Sequence, residues 1–150
     1  MNLLNNVAFD NIIDETTAGT SDLDGLKVVD CFGYEGVCFI GIMDTVTAGG
    51  TLSMNASYSD SSGLTDMVSD TGTAVGSSAA GDTTDYEGKL LICDIHRPEK
   101  RYASVHVDRG TQDAEIRVIA IRYGSHAMPV AQSTEQYGVL DGEVFVRPTT

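Results

Sequence analysis

From residue 101 to residue 123, apolar and polar side chains alternate. Tyr102, Val105 and Val107 are interleaved with Ser104, His106 and Asp108. Further on, Ile116, Val118 and Ala120 (or, in the opposite phase, Ile119 and Ile121) stand among Glu115, Arg117 and Arg122. A repeat of two puts successive side chains on opposite faces, and an extended strand uses this to bury one set and solvate the other. Residues 89–95, Lys-Leu-Leu-Ile-Cys-Asp-Ile, read as the strand before these two. His96-Arg97-Pro98-Glu99-Lys100 is a turn closed by Pro98, and Arg109-Gly110-Thr111-Gln112-Asp113 is a hairpin loop with Gly110 at φ > 0. The three strands are expected to pair as an antiparallel meander.

Upstream, residues 28–32 and 37–43 read as strands separated by Gly33-Tyr34-Glu35-Gly36. Residues 37–43 are apolar throughout, which predicts a strand covered on both faces. Residues 51–58 set Leu52, Met54, Ala56 and Tyr58 against Thr51, Ser53, Asn55 and Ser57, a half-buried strand. Residues 1–24 mix short apolar groups with Asn, Asp and Thr and read as a first strand or an extended arm lying on a neighbour. Residues 59–87 form a polar, acidic loop region in which Leu64-Thr65-Asp66-Met67-Val68 makes one helical turn or a short strand, and 77–85 a mobile loop. Val144-Phe145-Val146 offers a final short strand. Sixteen glycines, with many Ser, Thr and Asp, leave little room for long helices. The expected fold is all-β: an antiparallel β-sandwich or barrel with a C-terminal three-strand meander and an extended N-terminal arm, as one domain over residues 1–150. No internal repeat is visible.

Charge is unevenly placed. Residues 1–88 hold fourteen acids and one base, Lys27, for −13, and residues 89–150 hold eight of each, for zero. So few Lys and Arg cannot replace the counterions of a nucleic acid, and no nucleic-acid partner is expected. An acidic face keeps a chain soluble and can complement a basic partner. Cys31, Cys38 and Cys93 match no zinc spacing and read as three free thiols. The first residues, Met-Asn-Leu-Leu-Asn-Asn, do not resemble a signal peptide, and no apolar run approaches the roughly 20 residues that span a bilayer. A soluble protein made in a cytoplasm, with no membrane partner, is expected.

Positive signals for chemistry are missing from the sequence. His96, His106 and His126 lie far apart and read as exposed or hydrogen-bonded surface residues rather than ligands or bases. Ser21-Asp22-Leu23-Asp24-Gly25 contains the start of a calcium loop, but Lys27 and Val28-Val29 follow where further oxygen ligands belong, so it reads as an acidic turn. No phosphate-binding glycine pattern and no nucleophile elbow occurs. The expectation is a structural protein and not an enzyme, with no cofactor and no metal. The basic residues Arg97, Lys100, Arg101, Arg109, Arg117 and Arg122 all fall on the expected meander. They are the candidate interface, a face that meets acidic surface on a copy of the same protein or on a scaffold.

The meander also carries a resemblance. Asp94-Ile95-His96-Arg97-Pro98-Glu99-Lys100-Arg101-Tyr102, then Val107-Asp108-Arg109-Gly110-Thr111-Gln112-Asp113-Ala114, then Ile121-Arg122-Tyr123-Gly124 and Pro129, resemble the decoration or cement proteins of tailed-bacteriophage heads. Val29-Asp30, Gly33-Tyr34-Glu35-Gly36-Val37 and Ala48-Gly49 fit the opening strands of that family. Asp113 departs from the pattern, which has Asn there, and the loop at 59–87 and the C-terminal tail match loosely. The resemblance implies a virion structural protein, a homo-oligomer (a trimer) seated on the outer surface of an icosahedral head. There it would bridge subunits of the major capsid protein. The other virion role open to such a chain is a tail- or fibre-associated β-sandwich module that binds host glycan through loop tyrosines Tyr34, Tyr58, Tyr86 and Tyr137.

Overall fold

The computed structural model describes residues 3–110 and 112–132, the side chains of 15–17 excepted. The expected strand at 144–146 and Tyr137 lie outside the described residues. After one helical turn, α1 (Leu3–Asn6), come β1 (Ala8–Gly19), β2 (Leu23–Asp24), β3 (Val29–Asp30), β4 (Gly36–Val46) and β5 (Ser53–Ser59). The polar stretch that follows contributes 3-10 turns at Leu64–Asp66 and Thr71–Thr73 and two short strands, β6 (Val68–Ser69) and β7 (Val75–Gly76). The last described strands are β8 (Leu90–His96), β9 (Tyr102–Asp108) and β10 (Ala114–Tyr123). One sheet has the order β1-β10-β4-β8 and the other β2-β9-β5-β6, with β3 also on β9 and β7 also on β5. The all-β antiparallel fold is as expected.

The meander is not. β8 pairs with β4, β9 with β5, and β10 lies between β1 and β4, so the three consecutive strands alternate between sheets. Alternation says which side chains seek the core, but it does not say which strand lies alongside. β10 is apolar in both phases over its middle, Val118-Ile119-Ala120-Ile121, which suits the middle of a sheet, and it sits between two long strands. The loop after Arg109 is therefore a crossover and not a hairpin. Gly110 does have φ 61, and a Cβ there would lie 2.5 Å from Thr51 Oγ1 and 3.1 Å from Thr51 O. Both the backbone conformation and the close approach require glycine.

The core forms where the two sheets face each other. Phe39, Val37 and Met43 of β4, Ile116, Val118 and Ala120 of β10, and Leu91 and Cys93 of β8 meet Met54 and Ala56 of β5 and Val105 and Val107 of β9. Of the two readings of residues 1–24, the first strand holds and the arm does not: β1 is a long strand paired with β10 from Ala8↔Arg122 to Gly19↔Ala114. Its register slips between Asn11 and Ile13, a bulge that lets the adjacent residues Ile12 and Ile13 both be buried. The expected strand at 28–32 shortens to Val29–Asp30 because Asp30 starts a turn. The loop at 77–85 is tied down by Asp85 Oδ2, which accepts from the Gly81 and Asp82 N–H groups.

Two strands differ from their sequence reading in opposite directions. In β4, Val37, Phe39 and Met43 are buried, but the other phase is not covered among the described residues: Cys38 and Ile40 are half-buried and Ile42 is 40% exposed. β5, expected to be half-buried, is buried from Met54 through Tyr58. The segment after it pairs along its edge through β6 and β7. Asn55 Nδ2 donates to Ser69 Oγ (2.6 Å), and the Ala56 N–H donates to Thr73 Oγ1 (2.9 Å).

Candidate binding surface

At one end of the molecule a turn pushes an aromatic ring into solvent. Asp30 closes β3 and accepts the Phe32 N–H on Oδ1 (2.9 Å), while the Tyr34 N–H donates to Cys31 O (3.1 Å). Gly33, at φ 81, takes the position where a type II turn needs a positive φ. The turn buries Cys31 and leaves Phe32 77% exposed.

Asp30 is the hub of this end. Arg101 grips its carboxylate with two hydrogen bonds, Nε to Oδ1 (3.0 Å) and Nη2 to Oδ2 (2.7 Å). Those bonds, with the Phe32 N–H, hold the Asp30 carboxyl below the usual carboxylate range. The Arg101 guanidinium then lies 5.2 Å from the centre of the Phe32 ring and 5.0 Å from that of Tyr102. Arg122 approaches from inside, donating to Asp30 O (2.8 Å) with its guanidinium 4.9 Å from the Tyr34 ring. Phe32 thus stands as a ridge between two grooves. One, of about 860 Å³, is lined by Cys31, Tyr34, His126, Pro129 and Val130; the other, of about 310 Å³, by Arg97, Pro98, Lys100 and Arg101.

The six basic residues of the sequence analysis do not share one face. Arg97, Lys100 and Arg101 gather around Phe32, with Lys100 paired to Asp60 at 2.8 Å. Arg109 is buried, 5% exposed, with Nε donating to Ser21 O and Nη1 to Ala114 O (3.2 Å), so it ties the crossover to the chain after β1. Arg117 points outward from the four-stranded sheet, 3.4 Å from Asp14. Arg122 belongs to the inner phase of β10, where Nη2 meets Asp10 Oδ2 at 2.9 Å; Asp10 Oδ1 lies 2.5 Å from Lys27 Nζ, and its side chain is fully buried. Sequence reasoning missed both Phe32 and Asp10. The signal for Asp10 was a lone acid in an apolar run, and for Phe32 an aromatic residue inside an Asp-x-x-Gly turn.

Among the described residues the three histidines do not gather at one site. His106 Nδ1 lies 2.9 Å from Asp24 Oδ1, His126 lines the larger groove, and His96 is exposed at the end of β8. Among the described residues no three His, Cys, Asp or Glu converge as a metal site. The cysteines are free, and burial pushes the Cys31 thiol up to about 11 and raises those of Cys38 and Cys93, which keeps them protonated. Of the tyrosines considered for glycan, Tyr58 is buried in β5, Tyr34 is half-buried beside Arg122, and Tyr86 hydrogen-bonds Ser78.

No family model matches this chain, and no curated protein matches it. Among solved structures it is similar to a chain in the structure of infectious bursal disease virus Gx strain, at 8% identity and a TM-score of 0.33. The match covers 86% of this chain and 32% of that one. At that score the likeness establishes neither a shared fold nor a shared role.

Proposed function

We propose that this protein is a structural protein of a tailed-phage virion, one that decorates the outer surface of the icosahedral head as a homotrimer and stabilises it by bridging subunits of the major capsid protein. The observation that carries the reading is Phe32, exposed on a rigid turn and ringed by Tyr34, Arg97, Lys100 and Arg101. Aromatic and arginine side chains of this kind are the usual anchors of protein interfaces. Arg97, Lys100 and Arg101 give the rim cationic groups that can meet carboxylates on a partner, in a chain of net charge −13. The residues that carry the resemblance serve the frame behind this surface: Arg101 on Asp30, Arg122 on Asp10, Arg109 on backbone carbonyls, and Tyr123 Oη on Asp94 (2.8 Å). Such a frame holds an interface rigid and needs no reacting group.

Heads assembled without the protein provide the test. Added protein should sediment with them and appear as regularly spaced density on the shell. Phe32→Ala should weaken that binding by about tenfold or more, in line with the loss of an interface anchor. Protein found only at the tail, or a strict monomer by light scattering both free and on the shell, would overturn the proposal.

A further inference from the structure

Glu99 and Lys100 also line a further pocket, of about 430 Å³, that shares no other residue with the grooves beside Phe32. It forms where residues 59–70 fold back on β5. Tyr58 is the cross-strand neighbour of Val68, so the two side chains stand on one face of the sheet. The 3-10 turn brings Asp66 in ahead of β6, and Asp70 follows that strand. Tyr58, 7% exposed, is the buried member of the lining and makes its floor, while Val68, 70% exposed, stands at its mouth. Among the described residues the Tyr58 hydroxyl has no hydrogen-bond partner, and burial raises its pKa above the ordinary tyrosine value, so it stays protonated. A hydroxyl so enclosed is costly unless something bonds to it.

The walls say what that something is. Four carboxylates, Asp60, Asp66, Asp70 and Glu99, face one ammonium, and Lys100 is already taken by Asp60 at 2.8 Å. Asp66 Oδ2 accepts the Ser61 hydroxyl (2.6 Å) and Asp70 Oδ1 the Gly72 N–H (2.9 Å), bonds that fix these carboxylates without neutralising them. The pocket is therefore electronegative. Its acid groups do not converge closely enough to ligate one metal ion among the described residues. A guanidinium suits acceptors spread in this way, because it is planar, always charged and carries five N–H donors. We propose that the pocket takes an arginine side chain presented by a protein partner, its guanidinium donating to the Tyr58 hydroxyl oxygen and the carboxylates around it. The arginine methylenes lie on Val68, as the stems of such side chains lie on apolar surface.

Nuclear magnetic resonance on the full chain tests this without heads and without reference to the virion reading. The probe is a blocked tripeptide with arginine between two glycines. Its addition should shift the amides of residues 58–60, 66–70 and 99–100, and the same peptide with uncharged citrulline should shift none of them. Tyr58→Phe, which removes only the hydroxyl, should weaken binding by about threefold or more. Glu99→Gln, at an exposed residue, should weaken it by a similar factor, about threefold or more, while Asp44→Asn, an exposed acid on β4, should leave it unchanged. Circular dichroism checks that the Tyr58 variant folds, and if it does not, Glu99→Gln carries the test. Citrulline peptide bound as well as arginine peptide would overturn the proposal, as would affinity untouched by Glu99→Gln or by a folded Tyr58→Phe. Displacement of the peptide by an equal concentration of calcium would give the pocket to a metal, and tighter binding of free arginine would give it to a small molecule. Either result overturns the proposal.

Discussion

β4 and β5 follow one another in the chain and have exchanged the surroundings their sequences describe. β4 is apolar in both phases, yet Ile40 and Ile42 face outward with nothing over them among the described residues. β5 is polar in one phase, yet Asn55 and Ser57 are buried. The difference lies in what each strand's surroundings can supply. A polar face can be buried when its hydrogen bonds are met, and residues 68–76 meet them by folding back along β5. An apolar face asks only for contact, worth roughly 25 cal/mol for each Å² removed from water, and accepts any apolar cover. Hydrophobicity therefore states a preference, and coverage is decided by distant segments.

The widest gap is expected between the two faces of the four-stranded sheet itself. Asp10→Ala removes the carboxylate that joins Lys27 to Arg122 on the inner face, and should cost about 3–5 kcal/mol by leaving both cations without their counter-charge. Chemical denaturation measures this, and a loss no larger than that of an exposed-face substitution would break the comparison.

Next comes the crossover that brings the chain from β9 back to β10 past the start of β5. Gly110→Val forces a β-branched residue to φ 61 against Thr51 and should cost on the order of 1–3 kcal/mol or more. Gly81→Val meets only the end of the Asp85 side chain at 2.8 Å, and should cost less. Equal melting temperatures would mean that the crossover adapts and that the closeness to β5 is unimportant.

The covered polar face and the open apolar one can then be weighed directly. Asn55→Ala removes a buried amide that donates to Ser69 Oγ and to Ala56 O, and should cost about 1–3 kcal/mol. Ile92→Thr, on the exposed phase of β8, should cost less than about 1 kcal/mol in stability. Reversal of that order would show that the outer face of β4 and β8 is the better packed of the two.

The smallest effect belongs to the end where the two sheets' strands meet at Asp30. Its lowered carboxyl pKa means that the Asp30–Arg101 pair contributes fully above the unfolded value of 3.8 and is lost as pH falls through the lower folded value. Both partners are well exposed, so solvent screening should keep the contribution small. Arg101→Gln should lower the melting temperature at neutral pH, and the gap from the unaltered protein should close in acid. A gap that is constant with pH would assign the loss to packing on Phe32 and Tyr102 instead.

Much of this molecule was legible as local pattern. The period of two at 101–108 and 115–123 located β9 and β10 within a residue or two, and the turn chemistry of Gly110 placed a positive φ correctly. Pairing was not legible, because a five-residue turn such as 96–100 can return a strand to its neighbour or send it to the other sheet with the same residues. The candidate surface was half legible: Arg97, Lys100 and Arg101 are adjacent in sequence and stay together. Arg109, Arg117 and Arg122 separate, because a one-residue change of phase sends a side chain inward or outward.

By itself the sequence determined that the chain is built of antiparallel strands, where the core-seeking phase of most of them lies, and that its excess charge belongs to residues 1–88. Tertiary structure alone decided which strands lie side by side and that Ile12 joins Ile13 in the core through a bulge. It also decided that Asp10 is neutralised by two cations distant in sequence, and that Phe32 faces solvent. Strand formation depends on the alternation of near neighbours, which a sequence displays. Pairing, burial and charge neutralisation depend on groups tens of residues apart, and those meet only once the chain has folded.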